Sequence, residues 1–307
     1  MRVLVIGASG QVGRRVCTAA LAGSHRVFGT YRSRRPTLPA ESIALLDKRD
    51  RTQMDAVVQR FRPELIIDTG ALHQVDYCEQ HPAEAHEVNA DGTRAIAEAA
   101  MKLSARFVFV STDFVFGNGG EPPRVEEEEP SPLSVYGESK RAGELAALEA
   151  CREAVVARPS VIFGWNDPAG PSSSSGKSLD FASWVVDQLR RGEPLRIVND
   201  QIASPTYADD LALALLRLGE SSRTGVYHTA GATAVSRHAF AVRIARETGF
   251  DVSSIRAIAT SELHQLARRP SDSSLDSSKL ARDLGYQTLG LDESLPKFAA
   301  EFRSRAV

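Results

Sequence analysis

The chain has 307 residues, of which 42% are hydrophobic and 25% are charged. Those proportions are typical of a globular protein, and the length suits one full domain with a smaller lobe. The formal net charge of −2 excludes a global basic field of the kind that holds nucleic acid. No apolar run approaches the ~20 residues that cross a bilayer, and the start does not resemble a signal peptide. We therefore expect a cytoplasmic protein with no nucleic-acid or membrane partner.

Short apolar runs alternate with helical segments through the first half of the chain. The predicted strands are 3–6, 26–31, 42–46, 65–68 and 106–111. The predicted helices are 11–22, 51–61 with Asp50 as the N-cap, and 83–103. Strands separated by helices pair in parallel and are covered on both faces. The sequence therefore predicts a doubly wound α/β sheet, the Rossmann fold.

The second half of the chain is less regular. Helices are predicted at 136–150, 181–191 and 236–248, and strands at 154–158 and 226–228. Residues 169–178 are rich in glycine, proline and serine, which is typical of a surface loop. We expect the Rossmann domain to comprise 1–163, with 203–231 returning to it. A smaller C-terminal α+β lobe is expected from 164–202 and 232–307.

Three cysteines are spread along the chain without metal-site or disulfide spacing. Cys17, Cys78 and Cys151 form no CxxC pair. Isolated cysteines of this kind are usually buried thiols in a reducing compartment. We expect no metal site.

A glycine-rich segment follows the first strand and opens the first helix. It reads Gly7-Ala8-Ser9-Gly10-Gln11-Val12-Gly13. Glycine there permits a tight turn, lets the backbone approach a pyrophosphate and packs the helix close to the strand. The helix N-terminus also presents free N–H groups to an anion. The residues expected to bind a dinucleotide are Gly7, Ser9, Gly10, Gln11, Val12 and Gly13.

The end of the second strand indicates which dinucleotide is preferred. An acidic residue commonly binds the adenosine ribose hydroxyls at this point. Here the chain reads Thr30-Tyr31-Arg32-Ser33-Arg34-Arg35. A cation such as Arg32 is suited to a 2′-phosphate. The sequence therefore predicts NADPH (NADP) as the preferred cofactor and leaves NADH open.

A Tyr-x-x-x-Lys motif provides a candidate acid or base. On a helix, Tyr136 and Lys140 share a face because they are four residues apart. The ammonium of Lys140 is then expected to lower the phenol pKa from about 10, which suits general acid–base catalysis. Thr112 lies at the carboxyl end of the fifth strand, where open parallel sheets place their ligands.

The GxxGxxG spacing and the Tyr-x-x-x-Lys motif together resemble the extended branch of the short-chain dehydrogenase/reductase superfamily. The resemblance implies that Thr112, 24 residues before Tyr136, shares the substrate carbonyl oxygen with it. It also implies that Asn89 supports the site from the helix after the fourth strand. The further cofactor contacts expected on this basis are Asp47 at the adenine amino group, Lys48, and Lys140 at the nicotinamide ribose.

Longer motifs resemble the dTDP-4-dehydrorhamnose reductase family over roughly residues 1–298. They lie at 71–76 with Glu79, 111–116, 132–140 with 143–144, 200–201, 205–206, 210–212, 268–270, 274–276 and 279–280. The resemblance implies reduction of a 4-keto nucleotide-sugar, with hydride delivered from NADPH to C4 and Tyr136 as the proton donor. Thr112 and Asp113 are then expected at the sugar. Ala71, Leu72 and His73 are expected to line the cofactor.

Two positions distinguish this chain from its relatives. Phe114 stands where the related dehydratases carry a glutamate, which favours reduction alone. Val161 stands at a substrate-binding position where the reductase family commonly has an aromatic residue that lies against the sugar. Trp165 either replaces that aromatic side chain or packs in the core.

Three functions remain open on the sequence. The first is the ketoreductase acting on a nucleotide-sugar. The second is a reductase of the same fold acting on another carbonyl compound, which Val161 makes plausible. The third is a non-catalytic, NADP-binding regulatory subunit, against which the intact Thr112, Tyr136 and Lys140 count. A homodimer is left open.

Overall fold

The computed structural model describes residues 1–166 and 179–305. The loop predicted at 169–178 lies outside the described residues. In the first half, the strands are β1 (Arg2–Ile6), β2 (Arg26–Tyr31), β3 (Ile43–Leu45), β4 (Leu65–Asp68) and β5 (Arg106–Val110). The helices are α1 (Gln11–Ala22), α2 (Arg51–Phe61), α3 (Val75–Gln80), α4 (Pro82–His86) and α5 (Gly92–Lys102).

The second half adds longer helices and mostly short strands. The helices are α6 (Val135–Ala150), α7 (Phe181–Arg190), α8 (Ala208–Glu220), α9 (Arg237–Thr248), α10 (Ser278–Leu284) and α11 (Leu291–Arg305). The strands are β6 (Ala154–Arg158), β7 (Ile162–Phe163), β8 (Leu195–Val198), β9 (Ile202–Ala203), β10 (Thr206–Tyr207), β11 (Gly225–His228), β12 (Val235–Ser236) and β13 (Ile255–Ile258).

Seven parallel strands form the central sheet in the order β11-β6-β5-β4-β1-β2-β3. The chain passes from β1 to β2 and β3, and then returns to place β4 on the other side of β1. The connections therefore diverge between β1 and β4, where sheets of this kind bind their ligands. The predicted doubly wound α/β fold is confirmed.

Apolar side chains fill both faces of the sheet. In β1, Val3 and Val5 join the core under α1 and α8, whereas Leu4 and Ile6 join the core under α2, α5 and α6. Successive residues of a strand point to opposite faces, so a continuous apolar run is buried on both sides. Each such side chain contributes about 1.5–3 kcal/mol when fully buried.

A smaller α+β lobe lies beyond the sheet and has its own core. It joins α7, α9 and α11 to the parallel pair β8–β13 and the antiparallel pair β9–β12. Phe163, Phe240 and Phe298 lie at its centre and are fully buried. The prediction of a smaller α+β lobe is confirmed. The chain also returns to the main domain, where α8 packs on the sheet and β11 pairs with β6. The residue boundaries of the two domains stay a prediction.

Local details differ from the sequence prediction. The single helix predicted over 83–103 is divided by a π-helical turn at Glu87–Asp91, between α4 and α5. α3 precedes it and was not predicted. A π-turn inserts an extra residue without breaking the helix, so a 3.6-residue pattern does not reveal it. The strand predicted over 42–46 is limited to β3 because residues Ala40–Ser42 form a 3₁₀ turn.

None of the described helices is long and apolar enough to cross a bilayer. Within 1–166 and 179–305, no group of three histidine, cysteine or acidic side chains is arranged to hold a metal ion. Cys17, Cys78 and Cys151 are free and buried. Burial raises the pKa of Cys17 to about 12 and that of Cys78 to about 11, so these thiols are unreactive at neutral pH.

Candidate active site

A cleft of about 670 Å³ lies at the carboxyl ends of the central strands and reaches the smaller lobe. It brings together all of the predicted site residues except Asn89. Those lining it are Gly7, Ser9, Gly10, Gln11, Val12, Gly13, Arg32, Asp47, Lys48, Ala71, Leu72, His73, Thr112, Asp113, Tyr136, Lys140 and Val161. Residues separated by more than 100 positions in sequence therefore share one cavity.

The glycine turn at the end of β1 is shaped for a pyrophosphate. Gly7 has φ +78°, a conformation that side chains disfavour, and it lies against Gly70 after β4. A Cβ on Gly13 would meet the Gly7 carbonyl oxygen at 2.2 Å, so α1 packs as close as glycine allows. α1 has no side-chain N-cap and no acidic residue in its first turn. Its free N–H groups therefore suit the phosphates of a dinucleotide.

Gln11 connects this turn to the smaller lobe. Its side-chain Nε2 donates to Asp180 Oδ2 at 3.1 Å and to the Gly164 carbonyl oxygen at 3.2 Å. Asp180 in turn caps α7 by accepting from the N–H groups of Ala182 and Ser183. The first residue of α1 thus reaches the start of a helix in the smaller lobe.

The adenosine end of the cleft carries the predicted cation. Arg32 is exposed at the rim, and Arg34 lines the cleft beside it, with Nη2 donating to the Ser9 carbonyl oxygen at 2.5 Å. Asp47 is bound bidentately by Arg49, through Nε at 3.0 Å and Nη2 at 2.6 Å. That hydrogen-bonded pair lowers the pKa of Asp47, so its carboxylate is charged and rigid.

Lys48 lines the cleft through a side chain whose ammonium is already engaged. Nζ donates to Asp68 Oδ2 at 2.7 Å, to the Gly70 carbonyl oxygen at 2.9 Å and to Thr93 Oγ1 at 3.1 Å. An ammonium has three hydrogens to donate. The ammonium of Lys48 is therefore fully used within the protein, where it fixes the end of β4. Only the other atoms of Lys48 are available to contact a cofactor.

Thr112, Tyr136 and Lys140 lie together at the other end of the cleft. Tyr136 lies beside Thr112, whose hydroxyl donates to Asp113 Oδ1 at 3.0 Å. Lys140 Nζ donates to the Val110 carbonyl oxygen at 2.7 Å and lies 4.0 Å from the ring centre of Phe109. α6 begins at the Ser134 N-cap, whose side chain accepts from Gly137 N, and this start places Tyr136 and Lys140 on the face toward β5.

The prediction that Lys140 lowers the pKa of Tyr136 is wrong for the protein without a bound ligand. Burial raises the pKa of Tyr136 above its ordinary value, and the neighbouring Thr112 hydroxyl opposes this rise only in part. Burial lowers the pKa of Lys140 to about 7, with repulsion from Lys48 as the next cause. Desolvation of the phenol outweighs the cation because Lys140 is bonded to Val110 and is itself partly discharged near neutral pH.

Asp113 is a buried carboxylate satisfied by hydroxyl groups. Its Oδ2 accepts from Ser160 at 2.8 Å and from Ser273 at 2.6 Å, while Oδ1 accepts from Thr112. Burial raises its pKa, and these hydroxyl groups lower it in part. Ser160 and Ser273 come from distant parts of the chain, and neither was singled out by the sequence pattern.

Asn89, which the resemblance places as a support of the catalytic site, does not line the cleft itself. It lies in the π-turn and is fully buried. Its Oδ1 accepts from Leu72 N, and its Nδ2 donates to the Leu72 carbonyl oxygen, both at 2.9 Å. Nδ2 also donates to Ser139 Oγ at 3.0 Å. Asn89 therefore joins the cofactor-lining segment around Leu72 to α6.

Of the two alternatives that the sequence left open for Trp165, the structure shows core packing. That indole is buried in the lobe core, with ring centroids 5.0 Å from Phe302 and 6.0 Å from Phe298. It does not line the cleft, so it packs in the core and does not replace an aromatic wall. Val161 does line the cleft, with φ +40°, a strained backbone for a β-branched residue.

Several residues that line the cleft were not among the predicted site residues, and some of them come from the smaller lobe. Phe181 and Arg237, the first residues of α7 and α9, line it from the smaller lobe. Arg237 does carry a sequence signal. It directly follows the Ser236 N-cap, where the positive end of the helix dipole disfavours a cation. A cation kept at such a position points to a functional contact.

Comparisons with known proteins agree with this geometry. Residues 1–304 match the family model described as the RmlD substrate binding domain. A dTDP-4-dehydrorhamnose reductase of Mycobacterium tuberculosis is 33% identical over 286 residues, which covers 91% of this chain and 86% of that protein. The crystal structure of a dTDP-4-dehydrorhamnose reductase from Clostridium acetobutylicum has TM-score 0.86 at 26% identity, over 99% of this chain and 100% of that chain. The crystal structure of a dTDP-4-dehydrorhamnose reductase from Bacillus anthracis in complex with NADP has TM-score 0.82 at 28% identity. The match covers 98% of this chain and 99% of that chain.

Fold, cleft and similarity together define the class of the protein. It is an NAD(P)-dependent oxidoreductase of the extended short-chain dehydrogenase/reductase type. Within that class, the chain belongs to the RmlD substrate binding domain family.

Proposed function

We propose that the protein uses NADPH to reduce the C4 carbonyl of a nucleotide-sugar, as its dTDP-4-dehydrorhamnose reductase relatives do by name. The observation that carries the proposal is one continuous cleft. A glycine turn suited to a pyrophosphate lies at one end, and Thr112 and Tyr136 lie at the other beside Lys140. A cavity of about 670 Å³ is within the usual size range of small-molecule sites.

Each side chain at the reactive end has a definable task. When bound, NADPH supplies the hydride. Tyr136 is protonated at neutral pH, as a phenol ordinarily is, and burial raises its pKa further, so it holds the proton that the carbonyl oxygen needs. The Thr112 hydroxyl, which lies beside Tyr136 in the cleft, orients the same oxygen. Lys140 is held by the Val110 carbonyl and keeps further hydrogens for the hydroxyl groups of the nicotinamide ribose.

Reduction without loss of water fits the residues around Tyr136. Phe114 lines the cleft, edge-on to the Tyr136 ring with centroids 6.0 Å apart. It offers no carboxylate for elimination. Asp113 is nearby, but its oxygens are engaged by Thr112, Ser160 and Ser273. These contacts support a ketoreductase over a dehydratase.

Loss of the proton donor is the direct test. In Tyr136→Phe, kcat for oxidation of NADPH with a dTDP-4-keto-6-deoxysugar is expected to fall about 10²- to 10⁴-fold, the usual contribution of general acid catalysis. Tyr77→Phe is the matched control, since that phenol bonds Glu84 outside the cleft. An unchanged rate in Tyr136→Phe would show that the proton comes from elsewhere.

A second candidate substrate class follows from Val161. A valine there cannot stack on a sugar ring, and Trp165 does not supply the missing surface. A carbonyl compound other than a nucleotide-sugar is therefore the alternative. Reduction rates measured with a panel of ketosugar nucleotides and simple ketones decide between the two. Saturation at low concentration by a ketosugar nucleotide supports the first candidate. Saturation by a simple ketone alone supports the second.

A further inference from the structure

Arg237 and Phe181 bring a cation to the substrate side of the cleft from the smaller lobe. We infer that Arg237 is a substrate-binding residue that holds the diphosphate of the nucleotide-sugar. The inference rests on the proposed function and adds a specificity-determining residue to it. The argument begins with the partners of Arg237, because a cation in a cleft is normally paired.

Arg237 has no ionic partner within the described part of the chain. No carboxylate of residues 1–166 or 179–305 lies within 4.0 Å of its guanidinium. Two other arginines in the same part of the structure are committed: Arg269 pairs with Asp76 at 2.9 Å, and Arg124 pairs with Glu128 at 2.5 Å. Arg237 therefore differs from them in keeping its donors for another molecule.

Asp113 is the nearest source of negative charge, and it does not take this role. It acts on Arg237 electrostatically, but burial still lowers the pKa of Arg237, and Arg269 lowers it further. The Asp113 oxygens already accept hydrogen bonds from Thr112, Ser160 and Ser273. Asp113 therefore does not form an ion pair with Arg237, and the Arg237 side chain lines the cleft.

The guanidinium is held in place by an aromatic platform. Its central carbon lies 5.2 Å from the ring centroid of Phe181, which in turn stacks on Phe240 at 5.7 Å. The backbone N–H of Arg237 donates to the Gln201 carbonyl oxygen at 3.0 Å. A stacked guanidinium keeps its in-plane donors free, which is the geometry that binds a phosphate bidentately.

The order of residues along the cleft explains why a diphosphate is the anion. All four residues line the cleft: Tyr136 lies beside Thr112, Thr112 donates to Asp113, and Arg237 interacts electrostatically with Asp113. In a nucleotide-sugar, C1 carries the diphosphate on the side of the ring opposite C4. With C4 at Tyr136, the ring lies over Asp113 and the diphosphate extends toward Arg237.

Calorimetric titration of dTDP into the NADP⁺-loaded protein tests this without turnover. Arg237→Gln is expected to weaken dTDP binding about 10- to 100-fold, the usual effect of losing a charge-assisted pair. Binding of thymidine and of NADP⁺ should not change. Arg237→Lys should restore part of the dTDP affinity. Arg243→Gln is the matched control, because Arg243 lies on the same helix and pairs with Asp292 outside the cleft.

The outcomes separate this inference from the proposed function. Equal dTDP affinity in Arg237→Gln and the parent overturns the inference, even if the enzyme reduces a ketosugar. A selective loss of dTDP binding supports it, even if no ketosugar is turned over. A parallel loss of NADP⁺ binding or a large fall in Tm indicates a structural role and also overturns it. If Arg237→Gln loses affinity for glucuronate but keeps its affinity for dTDP, the inference is also overturned, because Arg237 would then bind a sugar carboxylate and not a diphosphate.

Discussion

Charge at single positions decides what each end of the cleft accepts. Arg32 stands at the rim where an acidic residue would favour NADH, and Arg34 lies beside it. The 2′-phosphate of NADPH carries charge that a cation binds far better than a hydroxyl pair does. On the substrate side of the cleft, Arg237 presents a further cation. The cofactor and the substrate are thus both expected to be recognised through phosphate.

Arg32→Gln is expected to reduce the preference for NADPH. Loss of a charge-assisted contact of about 1.5–3 kcal/mol corresponds to a fall of roughly 10- to 100-fold in kcat/KM with NADPH. The value with NADH should stay nearly constant, because NADH lacks the 2′-phosphate. Steady-state kinetics with both cofactors measures the ratio.

Arg35→Gln serves as the control for Arg32→Gln. Arg35 belongs to the same basic run, is exposed and does not line the cleft. Equal losses with NADPH and NADH in Arg32→Gln would contradict the assignment, since they would indicate a general effect on the loop and not recognition of a phosphate.

Individual elements hold the reactive side chains in place through buried polar contacts. α6 carries Tyr136 and Lys140, and its Glu144 ties it to the sheet. The Glu144 carboxylate accepts from Ser111 at 2.6 Å and from two nitrogens of Arg158 at 2.7 Å each. All three side chains of this cluster are buried. The cluster fixes α6 against the ends of β5 and β6.

Glu144→Gln is expected to lower the free energy of unfolding by about 3–5 kcal/mol, because it leaves the buried Arg158 without a counter-charge. Denaturant unfolding at pH 7 measures the change. Glu149→Gln is the matched control on the same helix, since the Glu149–Arg94 pair is exposed and worth little. Similar losses in both variants would refute a special role for the buried pair.

Elements with a strong local pattern were predictable from the sequence, and elements made by distant contacts were not. β1, β4 and β5 are short apolar runs, and Gly7 to Gly13 opens α1 where the glycine spacing requires it. The two-residue strands β7, β9, β10 and β12 are too short for any periodicity. The hydroxyls that surround Asp113 and the position of Arg237 depend on the packing of the smaller lobe, which no local pattern encodes.

The whole molecule connects its two parts through the cofactor turn. Gln11 donates to Asp180 at the start of α7, and the neighbouring Arg15 forms ion pairs with Asp209 at 2.7 Å and with Glu301 at 3.2 Å. α1 therefore contacts α8 of the main sheet and α11 of the smaller lobe at the same time. The cofactor turn and the lobe that carries Phe181 and Arg237 are thus joined by direct polar contacts.

The stability of the whole molecule should depend on pH through His228. This side chain is fully buried at the end of β11, with Nδ1 3.1 Å from the Asp276 carbonyl oxygen. Its Nε2 has no hydrogen-bond partner among the described residues. Burial lowers the pKa of His228 to about 3, and the nearby Arg158 adds to the effect. The folded protein therefore keeps this ring neutral in mild acid.

The unfolded chain protonates the same histidine at about pH 6.5. Between about pH 6.5 and pH 3 the unfolded state binds the proton and the folded state does not, so stability falls as the pH falls, by up to about 1.4 kcal/mol per pH unit. His228→Asn, which retains a donor for the Asp276 carbonyl, should flatten the pH dependence of Tm between pH 6.5 and pH 4. His264→Asn, at an exposed position, should leave it unchanged. Parallel curves for His228→Asn and the parent would mean that the ring accepts a proton in the folded protein, and the acid sensitivity would then have to come from the buried carboxylates.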